Sequence, residues 1–410
     1  MALERGSRSN QGMRNTTSRR QFLRAGLAAP FLGPVLFAAQ DLKPAAPRSG
    51  RKLLVLGGTR FLGPAIVEYA VAQGFEVTLF NRGKSNPDMF PGLEKLRGDR
   101  NTGDLAALES GKWDAVVDTS CYLPSHAREA AAVLKDRVGH YVLISTISVY
   151  GESEGDTVDE DSPVGEITEE NIAKVQTIGD VMKDGGVYYG PLKALCEQAL
   201  EELMPGRVTS LRPGVIAGKD DPSDRLPYWV VRCHEGGEVL CPGDPDQDFQ
   251  FTDVKDLGRW SVDFAMAKTA GIFNAVGFAG RVSLQEFLHG CKIVLGNTKT
   301  SFTWCDEEFL LENEVHPFSE MPFWLPAAWA HHYATERGVA AGMTFSPIAD
   351  SIRDVIEWHL GTRGEGYEWR YYGMGREREA ELLAKWHARG DEPEKPAEAA
   401  SESEPAAPAE

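Results

Sequence analysis

A short apolar run, Leu53-Leu54-Val55-Leu56, feeds directly into Gly57-Gly58-Thr59-Arg60-Phe61-Leu62-Gly63, and the chain then turns helical in pattern as far as Gln73. Few architectures accept that succession. A strand followed at once by a glycine-rich turn and a helix sends the chain back toward a parallel neighbour, and Phe75-Glu76-Val77-Thr78-Leu79-Phe80 supplies one, completing a βαβ unit. The rhythm continues with Asp114-Ala115-Val116-Val117-Asp118, a helix near Ser125 to Lys135, the run His140-Tyr141-Val142-Leu143-Ile144-Ser145, a helix from Tyr188 to Met204, and Val208-Thr209-Ser210-Leu211-Arg212-Pro213. Strands alternating with helices predict an α/β fold built on a doubly wound parallel sheet. Beyond Pro213 the pattern loosens, with many Gly, Pro and Trp residues to about Gly361, which predicts a smaller lobe of mixed structure. The implied boundaries are 51–220 for the sheet domain and 221–390 for the lobe with its C-terminal helices. Glu152 to Gly186, acidic and partly helical in pattern, reads either as a lid or as a surface insertion.

The two ends of the chain have another character. The first 24 residues carry six arginines against one glutamate, and Ala25 to Ala39 is uncharged and apolar, broken by Gly26, Pro30, Gly33 and Pro34. This is a signal-peptide layout over residues 1–39, with 40–50 as linker. Its basic part, Ser18-Arg19-Arg20-Gln21-Phe22-Leu23-Arg24, resembles the twin-arginine signal, which predicts a partnership with that export machinery and a periplasmic or otherwise exported protein. Phe37-Ala38-Ala39 matches the small-x-small cleavage rule in part, so a retained N-terminal anchor stays open beside cleavage. Losing six arginines and one glutamate takes the formal net charge from −18 to −23, so nucleic acid is not an expected partner. Asp391 to Glu410 holds seven acids, one lysine and four prolines and reads as a solvated, disordered tail. Cys121, Cys196, Cys233, Cys241, Cys291 and Cys305 show no CxxC spacing, so no metal site is expected. Cys233 and Cys241 are the first candidates for a disulfide, against the equally weighted reading that all six are buried hydrophobes.

The glycines fall where a strand must turn sharply and let its backbone approach a pyrophosphate, with the following helix N-terminus facing the phosphates. Gly57, Gly58, Thr59, Arg60, Phe61, Leu62 and Gly63 are therefore read as the phosphate loop of a Rossmann dinucleotide site, Arg60 standing where the middle glycine of GxxGxxG is usual. At the end of the second strand, where a carboxylate would bind the adenosine ribose, stand Asn81 and Arg82. With no acid to repel a 2′-phosphate and Arg82 available to pair with it, the expected cofactor is NADP or NAD, tilted toward NADP; a solvated basic turn is the alternative. Asp99, after the third strand, is placed for the adenine amino group.

Tyr189 and Lys193 are spaced i, i+4 at the start of a helix, so both emerge on one face. An ammonium beside a phenol favours the phenolate, which can then take or return a hydroxyl proton as hydride moves at the adjacent carbon. YxxxK is frequent by chance. Here it follows a glycine loop and a strand ending in Ser145-Thr146-Ile147-Ser148-Val149-Tyr150-Gly151, an order that is far more specific.

Over about Arg51 to Trp260 these motifs resemble the extended short-chain dehydrogenase/reductases, the NAD-dependent epimerase/dehydratase family, and the GGTRFLG loop resembles a branch that includes plastid RNA-associated proteins. The resemblance implies that Thr146 hydrogen-bonds the reacting oxygen, Tyr189 is the acid/base and Lys193 holds the nicotinamide ribose. Departures from the family pattern are informative. Ile147 and Ser148 stand where 4,6-dehydratases carry Asp-Glu, so elimination of water lacks its proton handler. Val215 and Phe249 stand where nucleotide-sugar enzymes carry an asparagine and an arginine, so a diphosphate loses two grips.

Export constrains the chemistry further, because a space without a supply of reduced nicotinamide favours a tightly held dinucleotide that is reduced and reoxidised within one cycle. The expected function is an epimerase or oxidoreductase acting on a hydroxyl/keto, sugar-like substrate. Its alternatives are a reductase that exchanges NADPH and a non-catalytic dinucleotide-binding or RNA-associated protein. Arg232, His234, His316 and Trp324 are weaker candidates for substrate contacts, each as readily a packed structural residue. Arg212 is either part of a segment closing over the nicotinamide or structural. A homodimer is left open.

Overall fold

The structure is a computed structural model and describes residues 50–151, 157–182, 186–278 and 280–390. The expected signal segment and acidic tail lie outside these residues. Lys52–Leu56 (β1) is buried from Leu53 onward, as befits a strand flanked on both sides in a covered parallel sheet. Leu62–Ala72 (α1), Glu76–Asn81 (β2), Glu94–Arg97 (β3), Ala115–Asp118 (β4), Pro124–Leu134 (α2) and Tyr141–Ile144 (β5) follow. Thr157–Val158 (β6), Glu169–Lys174 (α3) and Ile178–Val181 (α4) lead to Tyr189–Leu203 (α5) and Val208–Pro213 (β7). The chain then leaves the sheet through Ile216–Ala217 (β8), Arg225–Glu235 (α6) and Glu238–Pro242 (β9), and returns through Thr252–Asp253 (β10), Val254–Ala267 (α7) and Gly271–Ala275 (β11). Leu284–Leu295 (α8), Ser301–Cys305 (β12), Glu307–Glu312 (α9), His332–Tyr333 (β13), Glu336–Ala340 (α10), Ile348–Thr362 (α11) and Arg376–Gly390 (α12) complete the described chain.

Seven strands form one parallel sheet in the order β11-β7-β5-β4-β1-β2-β3. Alternate residues serve opposite faces. Leu53, Val55, Val117 and Val142 pack with α1 and α7, whereas Leu54, Leu56, Val116 and Leu143 pack with α2 and α5. Helices on both faces make the doubly wound architecture expected from the βαβ rhythm, and the strand order reverses at β1 and β4, opening a crevice at their C-terminal ends.

The boundary expected at 220 is overturned. Phe273 and Ala275 of β11 and Leu257, Trp260 and Phe264 of α7 belong to the core of the sheet, and a Cβ on Gly258 would lie 2.9 Å from the Ala65 carbonyl carbon of α1. Loosening after Pro213 marks an excursion of the chain, not the end of the domain. The lobe has its own core, with Trp229, Phe249, Phe287 and Trp324 among its buried members. All six cysteines are buried free thiols, so of the two readings left open the buried-hydrophobe one holds and the candidate pair Cys233 and Cys241 is not bonded. Among the described residues no helix is long and apolar enough to cross a membrane.

Candidate active site

A cavity of about 640 Å³ lies over the C-terminal ends of β1, β2, β4 and β5, and every residue of the glycine loop except Gly63 lines it. Two of the glycines are required by space and backbone together. Gly57 has φ +118° and a Cβ there would meet Thr119 Oγ1 at 2.2 Å; Gly58 has φ +91° and would meet Leu79 Cδ2 at 2.8 Å. Gly63 lets α1 press against the loop, since its Cβ would fall 2.5 Å from the Gly58 backbone. α1 begins after Phe61 without a side-chain cap; Gly63 N donates to Arg60 O at 2.9 Å and Pro64 has no N–H, so the Leu62 amide is the first-turn donor left to a ligand among the described residues. This cradle, which added methyl groups would fill, fits the pyrophosphate of a dinucleotide.

At the adenosine end the roles divide. Asn81 is committed to the turn, its amide donating to Gly57 O at 3.2 Å and its Oδ1 accepting from Gly83 N at 2.9 Å and from Arg97. Arg82 is exposed, lines the cavity beside Lys84, and has no hydrogen bond or ion pair to the described residues. Asp99 also lines the cavity, with Oδ1 accepting from Asn101 N and Nδ2 at 3.1 and 3.0 Å and Oδ2 without a hydrogen bond to the described residues. Beneath them Arg100 and Asp118 form a buried bidentate pair at 2.8 and 2.9 Å, completed by Tyr141 Oη donating to Asp118 at 2.6 Å. Burial opposes the Asp118 charge, but the Arg100 guanidinium and these hydrogen bonds outweigh it and hold the carboxyl below its ordinary range.

The three expected catalytic residues all line the cavity. Thr146 lies two residues beyond β5 and caps the turn Ile147–Val149, its Oγ1 accepting from Ser148 N at 3.1 Å and lying 3.2 Å from Ser148 Oγ. Tyr189 opens α5. Lys193, one turn on, is buried and donates to Cys121 O at 2.7 Å and Ile144 O at 2.6 Å, which fixes its ammonium between the ends of β4 and β5. Burial disfavours that charge, yet Tyr189 and the neighbouring thiols and phenol hold the Lys193 ammonium above its ordinary range. Gly190 makes the assembly close: a Cβ there would lie 1.7 Å from Ser148 O, so the residue after the tyrosine must be glycine for α5 to meet the Thr146 turn. Ser145 Oγ is buried at the cavity wall without a hydrogen-bond partner among the described residues.

Tyr122 went unnoticed in the sequence. Its ring lies 6.3 Å from that of Tyr189, and Lys193 Nζ lies 5.6 Å from its centroid. Ile178 and Met182 of the stretch beyond Glu152 also line the cavity, so that stretch forms part of the wall, with Val181 packed near Leu123 and Leu192.

The candidates in the lobe fall elsewhere. Arg232 is buried in an ion pair with Glu379 at 2.9 Å and donates to Gly236 O at 2.6 Å; Trp324 is core. His234 lies in the last turn of α6, and His316 is exposed with its backbone N donating to Glu320 at 2.8 Å. None of the four lines the cavity, and the expectation that they contact substrate is corrected accordingly. Arg212 is structural: it pairs with Glu197 at 2.7 and 3.1 Å and lies 4.8 Å from the Tyr150 ring centroid.

Comparison with known proteins agrees with this geometry. The chain is 29% identical over 232 residues to the chloroplast stem-loop binding protein of 41 kDa b of Arabidopsis thaliana, a match covering 51% of this chain and 53% of that one. It therefore spans about half the length of that relative. The structure is similar to that of the Bordetella bronchiseptica enzyme WbmH in complex with NAD+, with a TM-score of 0.54 and 16% identity over 77% of this chain and 99% of the other. It is also similar to UDP-N-acetylglucosamine 4-epimerase from Bacillus cereus, with a TM-score of 0.54 and 17% identity over 77% and 97% of the two chains. Residues 53–275 match the model of the NAD dependent epimerase/dehydratase family, with glycine cradle, Thr146, Tyr189 and Lys193 all inside the match, and the chain belongs to that family.

Proposed function

We propose that the protein is an epimerase or oxidoreductase that moves hydride at a hydroxyl/keto carbon of a small molecule, with a nicotinamide dinucleotide retained through the cycle. The observation that carries this reading is the fixed Lys193 ammonium, held by Cys121 O and Ile144 O one turn from Tyr189 in the wall that Thr146 shares. When bound, the dinucleotide supplies the hydride acceptor and donor. Gly57, Gly58, Phe61 and Leu62 would hold its pyrophosphate, and Lys193 its nicotinamide ribose. Tyr189 takes the hydroxyl proton as the carbon is oxidised and returns it on reduction. Thr146 hydrogen-bonds the same oxygen and orients it.

Arg82, exposed and uncommitted, supports NADP over NAD, with Arg97 and Lys84 adding positive charge nearby. The arginine pair Arg19-Arg20 supports export by the twin-arginine route, which moves folded proteins and so lets cofactor be loaded first. A scaffold reading draws on the likeness to the stem-loop binding protein. It is disfavoured by the acidic balance of the chain, which repels a polyanion. The test is to purify the mature protein without added nucleotide, denature it and identify any released dinucleotide by mass spectrometry. Near-stoichiometric NADP or NAD is expected; a protein that arrives empty overturns the captive-cofactor reading and leaves an exchanging reductase or a scaffold.

A further inference from the structure

The cavity is polarised along the sheet. Its charged lining follows the first three strands: Arg60 after β1, Arg82 and Lys84 after β2, Asp99 and Arg100 after β3. Over β4, β5 and β7 the lining changes character, to Tyr122, Ile178, Met182, Ile216 and Pro222 around Tyr189. Lys193 is the one cation among the described lining residues on that side, and two of its N–H bonds are spent on backbone carbonyls. The lobe arginines nearest in the hydrogen-bond network are also occupied. Arg225 donates to Ile216 O at 2.9 Å and to Ser223 Oγ at 2.6 Å, while Arg363 pairs with Asp224 and donates to Asp221 O at 3.2 Å. A diphosphate brought against this wall would lose water and gain no free counter-charge, whereas an apolar body would lose nothing and cover Met182, which is 50% exposed.

Resting on the dinucleotide reading above, we infer that the substrate is an uncharged secondary alcohol or ketone with an apolar ring or chain, and not a nucleotide-linked sugar. The carbinol oxygen lies with Thr146 and Tyr189, and the apolar body lies against Ile178 and Met182, which come from the insertion before α5. This departs from the sugar-like body expected from the sequence.

The test uses the full chain carrying its dinucleotide, with tetralone and tetralol, glucose and UDP-glucose as probes in titration calorimetry. Tetralol is also followed for reduction of the bound nicotinamide by absorbance. The alcohol then loses a hydride to the dinucleotide and a proton to Tyr189, leaving the ketone. Tetralone is expected to bind, tetralol to reduce the cofactor, and UDP-glucose to do neither. Ile178→Asp and Met182→Asp each place a carboxylate in the apolar wall and are expected to weaken tetralone binding about tenfold or more, with dinucleotide content unchanged. Tighter binding of UDP-glucose or glucose than of tetralone, no heat from tetralone, or unchanged binding in both variants overturns the inference while the dinucleotide reading stands. A protein that takes up neither NAD nor NADP when these are added overturns the dinucleotide reading first, and the inference with it.

Discussion

Lys193 occupies a place where burial ordinarily strips a lysine of its charge, and two backbone carbonyls and the Tyr189 phenol keep it ionised. Its removal therefore does more than delete a catalytic group. Lys193→Met leaves the carbonyls of Cys121 and Ile144 without their donor inside the fold, a loss of about 1–3 kcal/mol in urea unfolding, together with weaker retention of dinucleotide. Tyr189→Phe removes only the half-buried hydroxyl. It is expected to lower turnover about 10²–10⁴-fold while mass spectrometry finds the same dinucleotide content and unfolding is unchanged; activity surviving intact would favour the scaffold reading. Gly190→Ala is the sharpest steric test, because the new methyl would stand 1.7 Å from Ser148 O and force α5 away from Thr146. A loss of about 1–3 kcal/mol or more is expected, with the activity of Tyr189→Phe or less.

Helix α5 shows why some of the site was legible and some was not. Its buried stripe runs Gly190, Leu192, Lys193, Cys196, Glu197, Ala199 and Leu200, so two charged residues stand on an apolar face one turn apart, a pattern visible in the sequence at once. Lys193 belongs to YxxxK, whose i, i+4 spacing sets it on one helix face with Tyr189, and both line the cavity. The partner of Glu197 is Arg212, on β7, and no local spacing announces a contact across fifteen residues and a strand. Tyr122 and the Arg100–Asp118 pair escaped for the same reason: each depends on which strand ends meet over the crevice. The lobe candidates misled in the opposite way, since a polar or aromatic stretch does not say which residue of α6 faces inward, and Arg232 faces Glu379. Glu197→Gln isolates the element-scale term. It leaves the Arg212 guanidinium buried beside a neutral amide and is expected to cost about 3–5 kcal/mol in urea unfolding; a cost under about 1 kcal/mol would mean that Tyr150 and the Glu160 carbonyl suffice for Arg212.

At the scale of the whole molecule the sheet couples folding to pH through two buried histidines. His126 on α2 and His140 at the start of β5 are both covered, and burial, first of all, lowers each to about 4; His140 lies 2.7 Å from Thr209 Oγ1, and Arg100 adds to the effect on His126. A group whose folded value lies below its unfolded value of 6.5 binds protons more readily when unfolded, so its contribution to stability is complete above pH 6.5 and is lost as pH falls toward 4. Each is worth up to about 3 kcal/mol, less the part screened by nearby solvent. Asp118, lowered by Arg100, acts in a different window: its contribution is present above 3.8 and is lost only below it. Urea unfolding at intervals from pH 7 to 3 is therefore expected to show two declines, one above and one below about pH 4. His140→Gln keeps a partner for Thr209 and should make the upper decline shallower by the His140 share, about half, while leaving the lower one in place. An upper decline as deep in both His140→Gln and His126→Gln as in the unmutated protein would locate that titration elsewhere in the molecule and separate it from these two histidines.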